Sequence, residues 1–385
     1  MKLVLRPVLL AMFSALLIVQ VAVCILGAKL GSDGRGDFRH LYTAGYMVRS
    51  GHRAELYDYD VAVAFQNKVV GQGIALPFDH MAYESLLFVP FSYLKYATAY
   101  FIFFAVNLLL LALSARIARP QLEALAGMGA WAAYGPFFCF LPMAVALVLG
   151  QDSIILLALC VAAFESLHRG KDFRAGVFLA LGLFKFQFVV PIALLFLLWK
   201  KWRVVGGVIA GGIVVSIVSL LIVGFGAVRQ FAHMLIDMSV GLTNQSQRVK
   251  YETFPARMPN LRGLMETVAG SHVPHGVVQG AVIAASLAVI VIAARMRPSL
   301  ATAIVAAELV SYHGLIHDAS ILAIPLAMTF DWMVLRSSAK TAAIACLVFV
   351  TPALLFRGQE YFLMAIPVAC LFFVMPRAAA AEARV

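Results

Sequence analysis

Charged side chains are scarce in this chain: Asp, Glu, Lys and Arg together make up 13% of its 385 residues, while 63% are hydrophobic. A soluble domain carries roughly twice that share of charge, so the composition excludes an ordinary water-soluble fold. Apolar stretches of about 20 residues, the length that crosses a bilayer as a helix, recur along nearly the whole chain. We therefore expect a single integral membrane domain over residues 1–385.

Cysteine and acidic residues are also rare. The five cysteines lie inside apolar runs and show no Cys-x-x-Cys or Cys/His ligand spacing, so we expect neither a disulfide bond nor a structural metal. Basic residues outnumber acidic ones and give a net charge of +11. They occur in short clusters between apolar runs, which is typical of topology signals in membrane proteins and argues against a nucleic-acid partner.

The basic clusters predict the orientation of the chain, because short cytoplasmic loops are enriched in Lys and Arg. We interpret the first apolar run as an uncleaved helix that leaves the cytoplasm, so that the polar segment after Lys29 faces outward. Every later basic cluster then falls on the cytoplasmic side if residues 173–199 form two short passes with Lys185 near their outward apex. The expected fold is an all-α bundle of about 12 transmembrane helices.

Two longer segments are expected on the outer side, residues 30–95 and 226–275. Within the first, residues 82–94 are apolar but short and interrupted by Pro90, so we interpret them as an embedded element, with a thirteenth span as the alternative. Residues 37–50 have helical spacing, which predicts amphipathic helices along the membrane plane in this first loop.

The predicted topology gathers the unusual polar side chains on one side of the membrane. Ionisable groups at the membrane boundary are costly unless they face a cavity or a partner, so this sorting indicates an extracytoplasmic site. The residues concerned are Asp33, Asp37, His40, Asp79, His80, Glu84, Asp152, Lys185, His313, His317 and Asp318.

Several short motifs resemble those of glycosyltransferase family 87, in the same order along nearly the whole chain. They are Gly36-Asp37-Phe38, Tyr42-Thr43-Ala44-Gly45, Gly51, Leu56-Tyr57-Asp58, the stretch from His80 to Pro90, Gly150-Gln151, the stretch from Gly182 to Pro191, the stretch from Pro259 to Leu264, and His317-Asp318. The resemblance implies a GT-C membrane enzyme that uses a polyprenyl-phosphate sugar, similar to the mycobacterial phosphatidylinositol-mannoside mannosyltransferases.

The resemblance also implies a reaction and a place for it. The expected enzyme moves a hexose, mannose in the first instance, to a lipid or glycan acceptor at the outer face of the bacterial inner (cytoplasmic) membrane, toward the periplasm or exterior. Asp37 is the expected catalytic base, although an Asp at that position could simply cap the helix that follows. We expect single displacement with inversion, because no second carboxylate is arranged as a nucleophile.

Cations and hydrogen-bond donors at the outer face are candidates for binding the donor phosphate. We assign this role to Lys185, Arg262, Arg257 and His317; snorkelling toward the interface is the alternative for Lys185. The remaining candidates for substrate contact are His40, Tyr42, His80, Glu84, Gln151, His313 and Asp318. Structural packing is the alternative for His80 and Glu84, and a hydrogen-bonded pair buried between helices is the alternative for His317-Asp318. Capping of the helix that follows is the alternative for Gln151 and Asp152.

Neither a metal nor another cofactor is expected. His313 and His317 are four residues apart, but the Glu of a His-Glu-x-x-His motif and an obvious third ligand are missing, and the outer loops contain no Asp-x-Asp pair. The competing function is a transporter or flippase of lipid-linked saccharides, which would need polar or broken positions at the bilayer midplane. A ligase or polymerase of lipid-linked glycans is a mechanistically closer alternative.

Overall fold

A computed structural model describes residues 2–129, 131–240, 254–336 and 338–382, and these contain helices and no β-strand. The α-helices in the described ranges are α1 Lys2–Ser32, α2 Phe38–Arg49, α3 Tyr59–Val69, α4 Ser85–Phe88, α5 Tyr96–Ala118, α6 Glu123–Ala126, α7 Gly135–Phe138, α8 Leu141–Leu149, α9 Ser153–His168, α10 Asp172–Leu181, α11 Phe186–Leu198, α12 Trp202–Val240, α13 Leu261–Ala269, α14 His275–Ala294, α15 Leu300–Val310, α16 Ala323–Arg336, α17 Ala339–Leu355 and α18 Ala365–Glu382. Short 3₁₀ segments lie at Arg53–Glu55, Ala82–Glu84, Phe91–Tyr93, Arg119–Gln121, Ala132–Tyr134, Leu183–Lys185, Pro255–Arg257, Asp318–Leu322 and Tyr361–Met364.

The helices have the length and composition of a membrane protein. Among the described residues, five helical stretches are long and apolar enough to cross a bilayer: Arg6–Ser32, Tyr96–Gln121, Trp202–Met238, His275–Ala294 and Asp318–Arg336. Two bent helix pairs raise the number to seven if each pair is one span. The expectation of an all-α membrane protein is therefore confirmed, whereas the count of about 12 crossings stays a prediction.

The difference in number comes from short inner helices. Helix α9 has 16 residues and α15 has 11, so they measure about 24 Å and 16 Å, less than the roughly 30 Å of a bilayer core. Ten of the eleven residues of α15 are buried. Such a helix contacts protein on all sides rather than lipid, and hydropathy along the sequence does not distinguish these two apolar environments.

The run 173–199 is broken at its centre, at the position that the basic flanks predict. Helices α10 and α11 meet at an angle of 65° across the 3₁₀ turn Leu183–Lys185. The turn places Lys185 at the apex of the bent pair. Helices α7 and α8 form a second bent pair, with an angle of 50°.

Helix α2, the first helix of the polar segment, is largely enclosed by protein. Nine of the twelve residues of α2 are buried, and α2 packs against α3, α4 and the turn Phe91–Tyr93. Its polar side chains are directed at partners inside the protein: Arg39 is 1% exposed and donates to Gln66 Oε1, Asn67 Oδ1 and the Gly34 and Gly71 carbonyls. Protein therefore covers most of α2, and its orientation relative to the membrane plane stays a prediction.

Residues 82–94 form three helical pieces of three or four residues each. A four-residue helix is only about 6 Å long, so none of these pieces can cross a bilayer alone. In the second expected loop, α12 continues to Val240 after a break at Gly224, where φ is +79°, and α13 begins at Leu261. Residues 241–253 of that loop lie outside the described residues.

Helices α10 and α12 form the closest helix pair near the bend, and glycines permit that approach. A Cβ atom on Gly176 would lie 2.0 Å from the Val204 carbonyl oxygen, and one on Gly207 would lie 2.1 Å from the Phe173 carbonyl oxygen. Small residues of this kind let helix backbones approach closely in membranes. The contact fixes the helix that leads into Lys185.

Substitution of Gly176 by Ala should therefore destabilise the protein. We expect a loss of about 1–3 kcal/mol, because the methyl group meets backbone atoms that cannot move aside without separating α10 from α12. The thermal unfolding midpoint of the purified protein in detergent measures this loss. Gly280→Ala in α14 is the matched control, since its Cβ would enter open space, and an equal loss in both variants would contradict the packing argument.

Candidate active site

A polar cavity lies where the ends of several helices meet. It is lined by Asp37, His40, Leu76, Pro77, Asp79, His80, Gln151, Lys185, Gln187, His313, Leu315, His317 and Asp318. These residues come from segments that are far apart in the sequence: the α1–α2 turn and the start of α2, the stretch before Ala82–Glu84, the α8–α9 junction, the α10–α11 bend and the start of α11, and the α15–α16 connection. The fold thus gathers polar side chains from helix ends into one place.

A buried ion-pair network forms one wall of the cavity. The Lys185 ammonium is 2.9 Å from Asp152 Oδ1 and 2.7 Å from Asp318 Oδ1, and all three side chains are at most 3% exposed. Asp318 also accepts hydrogen bonds from Ser153 Oγ at 2.9 Å and from the Leu315 amide at 3.0 Å. Lys185 is therefore held inside the protein and does not snorkel to the interface.

Gln151 connects this network to Asp37. Its Nε2 donates to Asp37 Oδ2 at 2.5 Å, while its Oε1 accepts from Lys185 Nζ at 3.4 Å. A cation can only donate, so Lys185 fixes the carbonyl end of the amide and directs the NH₂ end at Asp37. His317 Nδ1 lies 4.0 Å from the same carboxylate oxygen.

Asp37 and Asp152 both occupy the position before a helix, but neither side chain makes a capping hydrogen bond. Neither side chain therefore caps the helix that follows it. Asp37 is 7% exposed and Asp152 is fully buried. Their carboxylates are directed at the cavity network instead of the backbone amides of the next helix.

Histidines and further carboxylates extend the same network. His80 Nδ1 lies 2.6 Å from Glu84 Oε2 and 3.1 Å from Asp152 Oδ2, and its Nε2 lies 3.4 Å from Asp79 Oδ1. The rings of His40 and His80 are in edge-to-face contact, with centroids 5.8 Å apart. Burial, and secondarily the neighbouring His80, lowers the pKa of His40 to about 3, so His40 is neutral at physiological pH.

A family model decides the identity of the chain. The model for glycosyltransferase family 87 matches residues 85–325, more than half of the sequence. The chain belongs to glycosyltransferase family 87. A search of curated proteins and a search of solved structures gave no match. The family assignment is consistent with the GT-C superfamily, and the matched range includes Gln151, Lys185 and Asp318, while Asp37 precedes it.

Eight of the twelve residues that the sequence singles out line the cavity of this family 87 protein, and four do not. The Tyr42 hydroxyl donates to the Leu94 carbonyl, and Glu84 lies behind His80. Arg262 bonds to Glu266 Oε1 and to the Tyr312 carbonyl, both at 2.7 Å, and the Arg257 guanidinium lies over the Phe254 ring. These four side chains lie outside the cavity lining.

The sequence does not single out three polar residues of the site: Asp79 and Gln187, which line the cavity, and Asp152, which pairs with Lys185. Asp152 and Asp79 stood out only as outer ionisable groups, and Asp152 was best explained as a helix cap. A usable signal existed in Lys185, because a lysine inside an apolar run requires a nearby carboxylate. Gln187 carries no comparable signal.

Replacement of Lys185 by Met should destabilise the enzyme strongly. Removal of one partner from a buried ion pair costs about 3–5 kcal/mol, since Asp152 and Asp318 are left buried without their cation. The double variant Lys185→Met/Asp318→Asn should recover part of this loss. Thermal midpoints in detergent test both, with Lys95→Met, at an exposed lysine, as the control. A Lys185→Met protein with the same thermal unfolding midpoint as the wild type would contradict the stabilising role of this network.

Proposed function

We propose that this family 87 glycosyltransferase transfers a hexose, mannose in the first instance, from a polyprenyl-phosphate donor to a lipid or glycan acceptor. The observation that carries the proposal is the position of Asp37. Its carboxylate is held by Gln151 in a polar cavity at the ends of apolar helices. That boundary is where the phosphate of a membrane-embedded lipid donor lies, so the reacting sugar and the carboxylate can meet there.

The direction of the helices supports an extracytoplasmic site. Helix α9 runs from Asp152 at the cavity to Arg169, and α11 runs from Lys185 to Lys200. Helix α16 likewise leads away from Asp318 and ends at Arg336. Because basic loops stay in the cytoplasm, the cavity would face the periplasm or exterior of the inner membrane.

Asp37 would act as the general base. The oxygen of the acceptor hydroxyl forms a bond to the anomeric carbon, the bond from that carbon to the phosphate oxygen breaks, and the hydroxyl proton moves to the Asp37 carboxylate. The polyprenyl phosphate leaves with the bonding electrons. Gln151 keeps one carboxylate oxygen in a fixed position, which holds Asp37 at the cavity.

The contacts of Asp318 favour a single displacement with inversion at the anomeric carbon. A covalent glycosyl intermediate requires a second carboxylate that is free to attack. Asp318 is a carboxylate on the Asp37 side of the cavity, and both of its oxygens already accept hydrogen bonds, Oδ1 from Lys185 and Ser153 and Oδ2 from Leu315. Asp318 therefore acts as a positioning residue rather than a nucleophile.

The donor phosphate would contact His317, the cavity residue nearest Asp37 that can donate a ring N–H. Lys185 contributes through Gln151 and Asp318, because its ammonium is already shared between two carboxylates. Arg262 would act indirectly, because it donates a hydrogen bond to the Tyr312 carbonyl next to His313. These assignments rest on contacts among the described residues.

Substitution of Asp37 by Asn should abolish most of the transfer. We expect kcat to fall by about 10²–10⁴-fold, the usual contribution of general base catalysis, with little change in the KM for the lipid donor. The assay supplies polyprenyl-phosphate-mannose and extracted lipid acceptors to the purified enzyme. Asp33→Asn is the matched control, since Asp33 is exposed in the same loop. A correctly folded Asp37→Asn enzyme with full activity would exclude Asp37 as the base.

A further inference from the structure

Carboxylates are the most numerous charged side chains in and next to the cavity. Asp37, Asp79 and Asp318 line it, and Asp152 lies directly behind Lys185. In the part of the chain that the structure describes, Lys185 is the one Lys or Arg side chain that lines the cavity, and two carboxylates already share it. A phosphate monoanion or dianion placed among these carboxylates would be repelled unless a further cation accompanied it.

Three side chains in the cavity wall have the arrangement of cation ligands. His40, Asp79 and His80 each offer one ligand atom, and these atoms all lie within 4.8 Å of one another. His40 is 5% exposed, and neither of its ring nitrogens has a hydrogen-bond partner among the described residues. A buried imidazole without hydrogen bonds is unfavourable, because it has lost its contacts with water and gained none in return. This indicates that a ligand binds to the His40 ring.

The environment of His80 fits the same interpretation. Its Nδ1 faces Glu84 Oε2 at 2.6 Å, so the Nδ1 hydrogen is donated to a carboxylate. Its Nε2 faces Asp79 Oδ1 at 3.4 Å, so a cation bound between His80 and Asp79 would take the place of the proton on Nε2. Histidines that bind metals commonly donate their other N–H to a carboxylate in this way, and the carboxylate fixes the tautomer and the ring orientation.

A second group of possible ligands is less suitable. His80, Glu84 and Asp152 also lie close enough to hold a cation. However, the Lys185 ammonium is already 2.9 Å from Asp152 Oδ1 and supplies a positive charge there. In the first group, no lysine or arginine forms a described ion pair with Asp79, whose described ion-pair partner is His80.

We propose that His40, Asp79 and His80 bind one divalent transition-metal cation, Zn²⁺ or Mn²⁺ in class, and that this cation receives the phosphate of the donor. Two imidazoles and one carboxylate suit such metals, and three protein ligands leave a coordination position open for a phosphate oxygen. The binding site stands on its own geometry, whereas its action on the phosphate rests on the proposed function.

The expectation that no metal binds was based on His-x-x-x-His and Asp-x-Asp patterns. Neither pattern covers this group, because His40 lies on α2 while Asp79 and His80 precede the turn Ala82–Glu84. Only the packing of α2 against this segment brings the three together. The ligand group is therefore a tertiary feature that local spacing does not reveal.

Metal content provides a test that does not depend on activity. The purified enzyme is stripped with EDTA, equilibrated with Zn²⁺ or Mn²⁺ in turn, freed of excess metal and analysed by inductively coupled plasma mass spectrometry. We expect one equivalent per chain in the wild type and loss of that equivalent in His40→Ala and in Asp79→Asn. Glu84→Gln should weaken the metal affinity by roughly 10–100-fold, because it removes the partner of the His80 N–H.

His52→Ala is the matched control, since it removes a half-exposed histidine of the same outer segment that pairs with Glu55, and it should keep the full equivalent. Cobalt absorption spectra of each variant, with thermal midpoints, separate lost ligation from lost folding. A wild type that binds neither metal, or His40→Ala and Asp79→Asn proteins that keep the full equivalent, would overturn the proposal.

The metal site and the proposed function can fail separately. Metal binding with the expected variant pattern but no sugar transfer from polyprenyl-phosphate donors would leave the site in place and overturn the proposed function. Full transfer in the presence of EDTA by an enzyme shown to be free of metal would overturn the metal's role and leave the proposed function in place.

Discussion

The placement of Lys185 between Asp152 and Asp318 is the interaction on which the rest of the site depends. It joins the α10–α11 bend to the start of α9 and to the segment before α16. A charge buried this deeply is tolerable only with both carboxylates in place, so the three helix ends must meet. Lys185 also orients the Gln151 amide, and through it Asp37.

A second constraint fixes the loop that carries Asp37 against the bundle. Gly36 lies so close to the end of α8 that a Cβ atom there would be 2.7 Å from the Leu149 carbonyl oxygen. On the next turn, Arg39 ties α2 to residues 66–71 through its whole guanidinium. Asp37 lies between these two fixed points, which preorganises its carboxylate without direct use of the helix N-terminus.

The sequence predicts the membrane class, the bend at Lys185 and most of the residues that line the cavity. Each of these predictions depends on a contrast between long apolar runs and the few charged or polar residues that interrupt them. A charged or polar residue in an apolar chain is conspicuous, as for Asp37, Lys185 and His317. Partners are less visible, since Asp152 and Asp79 also fit the role of a helix cap or a surface acid. The sequence does not predict the burial of α2. Its periodicity indicates one apolar face, but it does not indicate that the polar side chain of Arg39 makes contacts inside the protein.

The number of crossings illustrates the same limit. Helix α15 is apolar because it is enclosed by other helices. A hydropathy pattern does not distinguish a helix surrounded by protein from one surrounded by lipid. The group His40, Asp79 and His80 likewise exists only after α2 has packed. What the sequence leaves open is therefore which polar groups become neighbours, and this determines charge balance in the cavity.

The stereochemistry of transfer tests the central claim, that a single carboxylate, Asp37, acts as base in one displacement. The purified enzyme would be given a polyprenyl-phosphate sugar of defined anomeric configuration, labelled with ¹³C at the anomeric carbon, together with extracted lipid acceptors. Nuclear magnetic resonance of the product then reports the configuration of the new bond. The account predicts inversion relative to the donor, and a product that retains the donor's configuration would contradict it.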